Sequence, residues 1–95
     1  FYDISSTASG QSWSMTSYCP APGPVPSAPS NRDYAAGFTA AMMLKDMRLA
    51  QQAAGAAKAA TPLGAQAEAL YALMGQAGKD DLDFSGIMKL IDGTL

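Results

Sequence analysis

GFTAAMMLKDMRLAQQAAGAA, residues 37–57, is the stretch whose reading decides the fold. It is rich in Ala, Met and Leu and holds no proline, so it predicts a long helix with Gly55 weakening its end. Lys45 and Asp46 sit side by side in its middle. Consecutive helical residues are about 100° apart, so no narrow polar stripe can hold both charges and keep Met42, Met43, Leu44 and Met47 together. At least one charge should lie at the edge of a buried surface or face a cleft. An unpaired buried charge is costly, and chains keep one where it meets a partner, a ligand or a reacting group.

Working outward, Thr61-Pro62 marks a second start, with Thr61 as N-cap and Pro62 in the first turn. This helix is expected to run to about Ala77, with Leu63, Ala67, Leu70, Tyr71 and Met74 on one face and Gly78 as its stop. Asp83 reads as the N-cap of a short third helix over residues 84–91, with Phe84, Ile87, Leu90 and Ile91 apolar and Gly93 ending it. Residues 1–8 read as a helix end or frayed turn, broken at Ser9-Gly10. Residues 20–29, PAPGPVPSAP, can be neither an interior helix nor a central strand. They predict an extended surface loop, pinned to the body by the aromatic residues that flank it, Trp13, Tyr18 and Tyr34. There is no strand candidate and no repeat. The fold class is all-α, a small helical bundle with a long Pro-rich N-terminal loop.

Composition narrows the possible functions. The chain has 95 residues, 15% charged, with a net charge of -2. That is no basic footprint for nucleic acid, and no apolar run has the length of a membrane span. Cys19 is the one cysteine and histidine is absent, which argues against a disulfide, an activated thiol or a first-row metal site. A reducing setting is expected, cytoplasmic in a bacterium or the mitochondrial matrix in a eukaryote. Hydrophobic residues make up 48% of the chain, but Ala supplies much of that and buries little area per residue. A folded monomer should be marginal. With no initiator Met, the chain is expected to be a fragment that normally packs on something else.

Phe38 and residues 43–51 (MLKDMRLAQ) resemble a conserved segment of the β-hydroxyacid dehydrogenases. Residues 9–23 (SGQSWSMTSYCPAPG), 60–65 (ATPLGA) and 83–85 (DFS) resemble the 3-hydroxyisobutyrate dehydrogenase subgroup in the same order and spacing. The resemblance covers nearly the whole chain. It implies that residues 1–95 are a C-terminal helical fragment of a 6-phosphogluconate-dehydrogenase-like domain. It also implies an enzyme passing hydride from a β-hydroxy acid to NAD, with NADP left open. Two parts of such an enzyme are absent here: the Rossmann domain with its G-x-G-x-x-G, and the interdomain helix with the catalytic lysine. Lys58, Lys79 and Lys89 lie in the wrong surroundings to replace that lysine, so the chain by itself is expected to be inactive.

On the residues alone, Lys45 could snorkel from a core helix while Asp46 caps or pairs with Arg48. Trp13 and Tyr18 could be no more than loop anchors. The resemblance implies other roles. Lys45 would reach the cofactor near its nicotinamide, Asp46 would support the site by orienting Lys45, and Trp13 and Tyr18 would line the substrate pocket. There a Tyr18 hydroxyl could meet a substrate carboxylate. The methionines read as core filling more than as a pliable groove. Asp80, Asp81 and Asp83 lack the spacing of a calcium loop and read as a solvated turn plus a cap. The expected partners are a small hydroxy-acid substrate, the missing Rossmann domain and further copies of the chain, with no nucleic acid, membrane or metal. Two other readings remain: a tartronate semialdehyde reductase or serine dehydrogenase of the same fold, and a non-catalytic helical interaction module.

Overall fold

The computed structural model describes all 95 residues, Phe1–Leu95. Its elements are α1 (Tyr2–Ser5), α2 (Trp13–Thr16), a 3₁₀ turn (Pro29–Arg32), α3 (Ala40–Ala56), α4 (Pro62–Gln76), and a second 3₁₀ turn (Phe84–Gly86) leading into α5 (Ile87–Asp92). The expected all-α class holds. The one β-type feature is an isolated antiparallel bridge between Thr39 and Asp83. No helix is long and apolar enough to cross a membrane.

The long helix starts later than residue 37. Thr39 is its N-cap, and the Thr39 hydroxyl accepts from the Met42 N–H at 3.2 Å. The Gly37 and Phe38 N–H groups are turned toward the Asp83 carboxylate instead, which keeps them out of the helix. Helix α3 ends in a Schellman closure, with the Ala59 N–H donating to Ala54 O and the Lys58 N–H to Gly55 O. The left-handed position of that closure is filled by Lys58, at φ 55°.

Helix α4 begins at Pro62 as expected, but the Thr61 side chain does not cap it. The Thr61 hydroxyl donates to Gln51 Oε1 at 3.1 Å and ties the turn back onto α3. Gly78, at φ 74°, supplies the stop in a second Schellman closure, with Lys79 N–H to Met74 O and Gly78 N–H to Gly75 O. The third helix is split. Asp83 accepts from the Ser85 N–H and caps a 3₁₀ turn, and only from Ile87 is the geometry α-helical.

Helices α3 and α4 pack as an antiparallel pair with the segment from Leu82 to Leu90 across one end. Ala40, Tyr71 and Met74 are buried there, surrounded by half-buried Met43, Leu44, Met47, Leu82, Phe84, Ile87 and Leu90. This confirms methionine as filling for this core, though Met42 stays 49% exposed. Two expected core positions fail. Leu63 is 79% exposed and Ile91 67% exposed. Leu63 sits in the first turn of α4, at the end away from α5, and Ile91 lies on the outer side of α5.

The proline loop is pinned, largely by polar groups. Ser30 Oγ donates to Cys19 O at 2.8 Å, and Asn31 Nδ2 to Val25 O at 2.7 Å. The Gly23 N–H donates to Asn31 Oδ1 at 2.8 Å, and the Tyr34 hydroxyl to Pro20 O at 2.6 Å. Cys19, Val25 and Ala28 form a second small core under the loop, with Tyr2 and Ala21 against it. Asp33 and Tyr34 are both left-handed, at φ 55° and 58°, a conformation costing non-glycine residues about 1–2 kcal/mol each. Tyr34 is held there from three sides: its N–H donates to Pro29 O, its carbonyl accepts from the Asp83 N–H, and its hydroxyl is held by Pro20.

The expectation of a thin core is met. Only 12 of 95 residues are buried. The accessible surface is 5943 Å², against about 5,200 Å² for a compact protein of this size. The radius of gyration is 14.3 Å, against about 12 Å.

Candidate functional site

At the junction of the two halves lies Asp83, which is fully buried. Its Oδ1 accepts from the Tyr18 hydroxyl at 2.5 Å, the Gly37 N–H at 2.9 Å and the Phe38 N–H at 3.1 Å. Its Oδ2 accepts from the Ser85 N–H at 3.0 Å and the Ser85 hydroxyl at 2.5 Å. Those donors fill the roughly four lone-pair sites a carboxylate offers. Burial pushes the Asp83 carboxyl up, but the hydrogen bonds from Ser85, Tyr18 and the backbone of Phe38 and Ser85 outweigh it and hold the group below its ordinary value. Asp83 is thus a structural hub whose lone pairs are taken up by protein donors.

Tyr18 shows the reciprocal effect. Burial, then the hydrogen bond and charge of Asp83, push its phenol up to about 12, with Arg32 acting in the opposite sense. Its ring is stacked on Trp13 at 5.3 Å and 21°, and on Phe84 at 5.2 Å and 19°. Phe38 meets Phe84 edge-on at 5.8 Å and 81°. The structure therefore brings Trp13 and Tyr18 together, as expected, and extends them into a run of four rings. Trp13 is the open end, 63% exposed. The hydroxyl proton expected to face a substrate carboxylate is directed at Asp83.

Lys45 and Asp46 project from the middle of α3 and are both exposed. Lys45 lies six residues from the Thr39 cap, about 9 Å along the helix axis. It borders a groove of about 410 Å³, together with Leu44, Arg48, Gln52 and Asp80. The expectation that one charge faces a cleft is thus met by Lys45. Asp46 is not part of that groove. Neither charge is buried, so the helix carries them without the desolvation cost that their greasy neighbours suggested.

A second groove, about 460 Å³ and largely apolar, runs between Phe1, Tyr2, Met15, Cys19, Pro20 and Met88. It contains none of Trp13, Tyr18, Lys45 or Asp46. Cys19 is free and buried at its floor. No group of His, Cys, Asp or Glu side chains is placed to hold a metal ion. Sequence reasoning missed the roles of Gly37, Phe84 and Ser85, and it saw Asp83 only as a cap. The one visible signal for Asp83, Phe84 and Ser85 was the DFS block itself.

The chain is similar to known proteins over nearly its whole length. Residues 1–91 match the family model described as the NAD-binding part of NADP-dependent 3-hydroxyisobutyrate dehydrogenase. The chain is 44% identical over 92 residues to a Pseudomonas aeruginosa protein named NAD-dependent L-serine dehydrogenase, covering 97% of this chain and 31% of that one. It is 40% identical over 91 residues to the mitochondrial 3-hydroxyisobutyrate dehydrogenase of Drosophila melanogaster, covering 96% of this chain and 28% of the relative. A solved structure described as Mycobacterium tuberculosis 3-hydroxyisobutyrate dehydrogenase with L-serine superposes with a TM-score of 0.89 at 41% identity, over 95% of this chain and 31% of that one. The chain therefore spans about a third of the length of these relatives. With a match over nearly its whole length and an all-helical fold shared with a solved member, the chain belongs to the NAD-binding 3-hydroxyisobutyrate dehydrogenase family.

Proposed function

We propose that these 95 residues are the C-terminal helical part of an NAD-dependent 3-hydroxyisobutyrate dehydrogenase, which oxidises 3-hydroxyisobutyrate to methylmalonate semialdehyde. The observation that carries this reading is Lys45 on the rim of the α3 groove, in a chain matching the family over residues 1–91. An exposed ammonium there fits one polar edge of a dinucleotide. Nothing in the chain offers the glycine-rich cradle a pyrophosphate needs, so the rest of the cofactor is held by a Rossmann domain outside these residues. A bound nicotinamide would supply hydride-accepting chemistry for the carbinol carbon. The hydroxyl proton goes to a lysine that also lies outside this chain.

In this reading Lys45 donates to the cofactor near the nicotinamide and Asp46 restrains Lys45. The Trp13 indole and the Tyr18 ring form a wall that keeps water from the substrate. A cytoplasmic setting in a bacterium, or the mitochondrial matrix in a eukaryote, goes with it.

A second substrate, L-serine, is favoured by specific observations: the name of the Pseudomonas relative and the L-serine accompanying the Mycobacterium structure. Serine and 3-hydroxyisobutyrate share a primary hydroxyl two carbons from a carboxylate. The full-length protein should be assayed for NADH formation with 3-hydroxyisobutyrate, L-serine and the reduced form of tartronate semialdehyde. The highest kcat/KM with 3-hydroxyisobutyrate supports the first reading, and the highest with L-serine supports the second. No turnover of any of the three would refute the dehydrogenase reading.

A further inference from the structure

The candidate site residues come from two stretches far apart in sequence, and no single groove contains both groups. Trp13 and Tyr18 come from the N-terminal segment, and Lys45 comes from α3. The buried cluster under the loop and the cluster between α3 and α4 are separate, and the apolar link from the N-terminal segment to the second is the stacking of Tyr18 on Phe84. The polar link beside that stack converges on one oxygen. Asp83 Oδ1 receives the Tyr18 hydroxyl together with the Gly37 and Phe38 N–H groups that lead into α3. The fit is close, since a Cβ at Gly37 would stand 2.8 Å from the Tyr18 hydroxyl oxygen.

We propose that Asp83 is a positioning residue: it sets the Trp13–Tyr18 wall in register with the Lys45 helix, and Tyr18 acts on the substrate through its ring and its hold on Trp13, with its hydroxyl proton committed to Asp83. The proposal rests on the dehydrogenase reading for its functional meaning. It excludes a direct hydrogen bond from the Tyr18 hydroxyl to a substrate carboxylate, because that hydroxyl has one proton and Asp83 holds it. Asp83 itself touches no substrate, since its lone pairs are filled.

The two roles for the Tyr18 hydroxyl predict opposite results for Asp83→Asn. If the hydroxyl were a substrate ligand, removing the Asp83 charge would loosen its hold on that hydroxyl, and only Tyr18→Phe would harm substrate binding. If the hydroxyl is a lock, Asp83→Asn and Tyr18→Phe should look alike.

In the full-length enzyme we expect each variant to raise the KM for the hydroxy acid about tenfold, as for loss of one charge-assisted hydrogen bond. The double variant should be no worse than the more affected single, because both remove the charge-assisted form of the same link. The KM for NAD should stay within about twofold, since Lys45 keeps its helix. Additive effects, or equal rises in both KM values, would overturn the proposal.

A second measurement needs no activity, so it separates failure of this proposal from failure of the dehydrogenase reading. The near-ultraviolet circular dichroism of Trp13 stacked on Tyr18 should weaken in Tyr18→Phe, a variant that removes one oxygen and keeps the ring. Subtracting the spectrum of Trp13→Phe isolates this signal in the full-length protein. An unchanged Trp13 contribution in Tyr18→Phe would overturn the proposal even if Asp83→Asn fails to fold.

Discussion

Gly37 and Tyr18 approach so closely that a side chain on one would displace the other: a Cβ at Gly37 would lie 2.8 Å from the Tyr18 hydroxyl and 3.7 Å from Asp83 Oδ1. The Tyr18 oxygen is fixed by Asp83 and cannot retreat without breaking that bond. Gly37→Ala should therefore destabilise the protein by about 1–3 kcal/mol, as overpacking does. Gly55 is the control. It lies inside α3 with nothing within 4 Å of its built Cβ, so Gly55→Ala should stabilise by about 0.5–1 kcal/mol. Urea denaturation of both variants reads the two signs side by side.

The closure of α3 gives a complementary test. Lys58 occupies a left-handed position at φ 55° that glycine fills at lower cost. Lys58→Gly is expected to raise stability by about 1 kcal/mol. An unchanged denaturation midpoint would mean the Lys58 side chain makes compensating contacts.

Acid should unlock the Asp83 hub. Its folded-state carboxyl is held below the ordinary value of 3.8, so the folded state prefers the ionised form. That contribution is fully present above the unfolded value and is lost as pH falls through the folded one. The fall in stability between about pH 5 and about pH 2 should be shallower in Asp83→Asn than in the parent. Parallel curves would show that other carboxylates dominate the acid transition.

Alkali acts on the phenols in the other direction. Tyr18 and Tyr71 are both pushed up to about 12, Tyr71 by burial and then by the Asp83 charge. Their raised folded values contribute stability that is present below the ordinary 10 and lost as pH rises toward 12. Ultraviolet titration should show the phenolate signal of Tyr71, which lies in α4, only together with loss of helical dichroism.

Lys45→Ala in the full-length enzyme should lower kcat/KM by about 1.5–3 kcal/mol in barrier terms, the range for a charge-assisted hydrogen bond. Stability should hardly change, because Lys45 is exposed. Asp46→Asn should do similar damage if Asp46 restrains the lysine in the closed cleft, and almost none if it stays solvated. The 95-residue chain alone should show no dehydrogenase turnover and no micromolar NAD affinity by calorimetry. With Leu49, Leu63 and Leu73 half or more exposed, it should self-associate at micromolar concentration in the ultracentrifuge.

The helices were legible in the sequence because their punctuation is local. Pro62, Gly78 and Gly93 mark boundaries by backbone chemistry alone. The 100° geometry left open which of Lys45 and Asp46 would border a groove, and the burial it implied is absent, since both are exposed. The long-range hydrogen bonds were not legible. Asp83 carries a cap signal that reaches two residues ahead to Ser85, and nothing local says that it also holds Tyr18, 65 residues away. Leu63 was misplaced for a related reason. Its periodicity fits a buried face, but whether a face is covered depends on how far the neighbouring elements extend.

The two buried clusters have a kinetic consequence. Local stability follows cooperative units, and each cluster with its own hydrogen bonds is such a unit. Helices α3 and α4 meet through contacts near in sequence and need no help from the first 35 residues. The N-terminal arm docks through a few bonds, chief among them Tyr34 O to Asp83 N and Tyr18 to Asp83. In native-state hydrogen exchange, the amides of Ala28, Asn31 and Tyr34 should exchange together, by one opening event. That event is less costly than the one exposing the middle of α3. The arm would then behave as a latch, able to lift and re-seat while the helical pair beneath it stays folded.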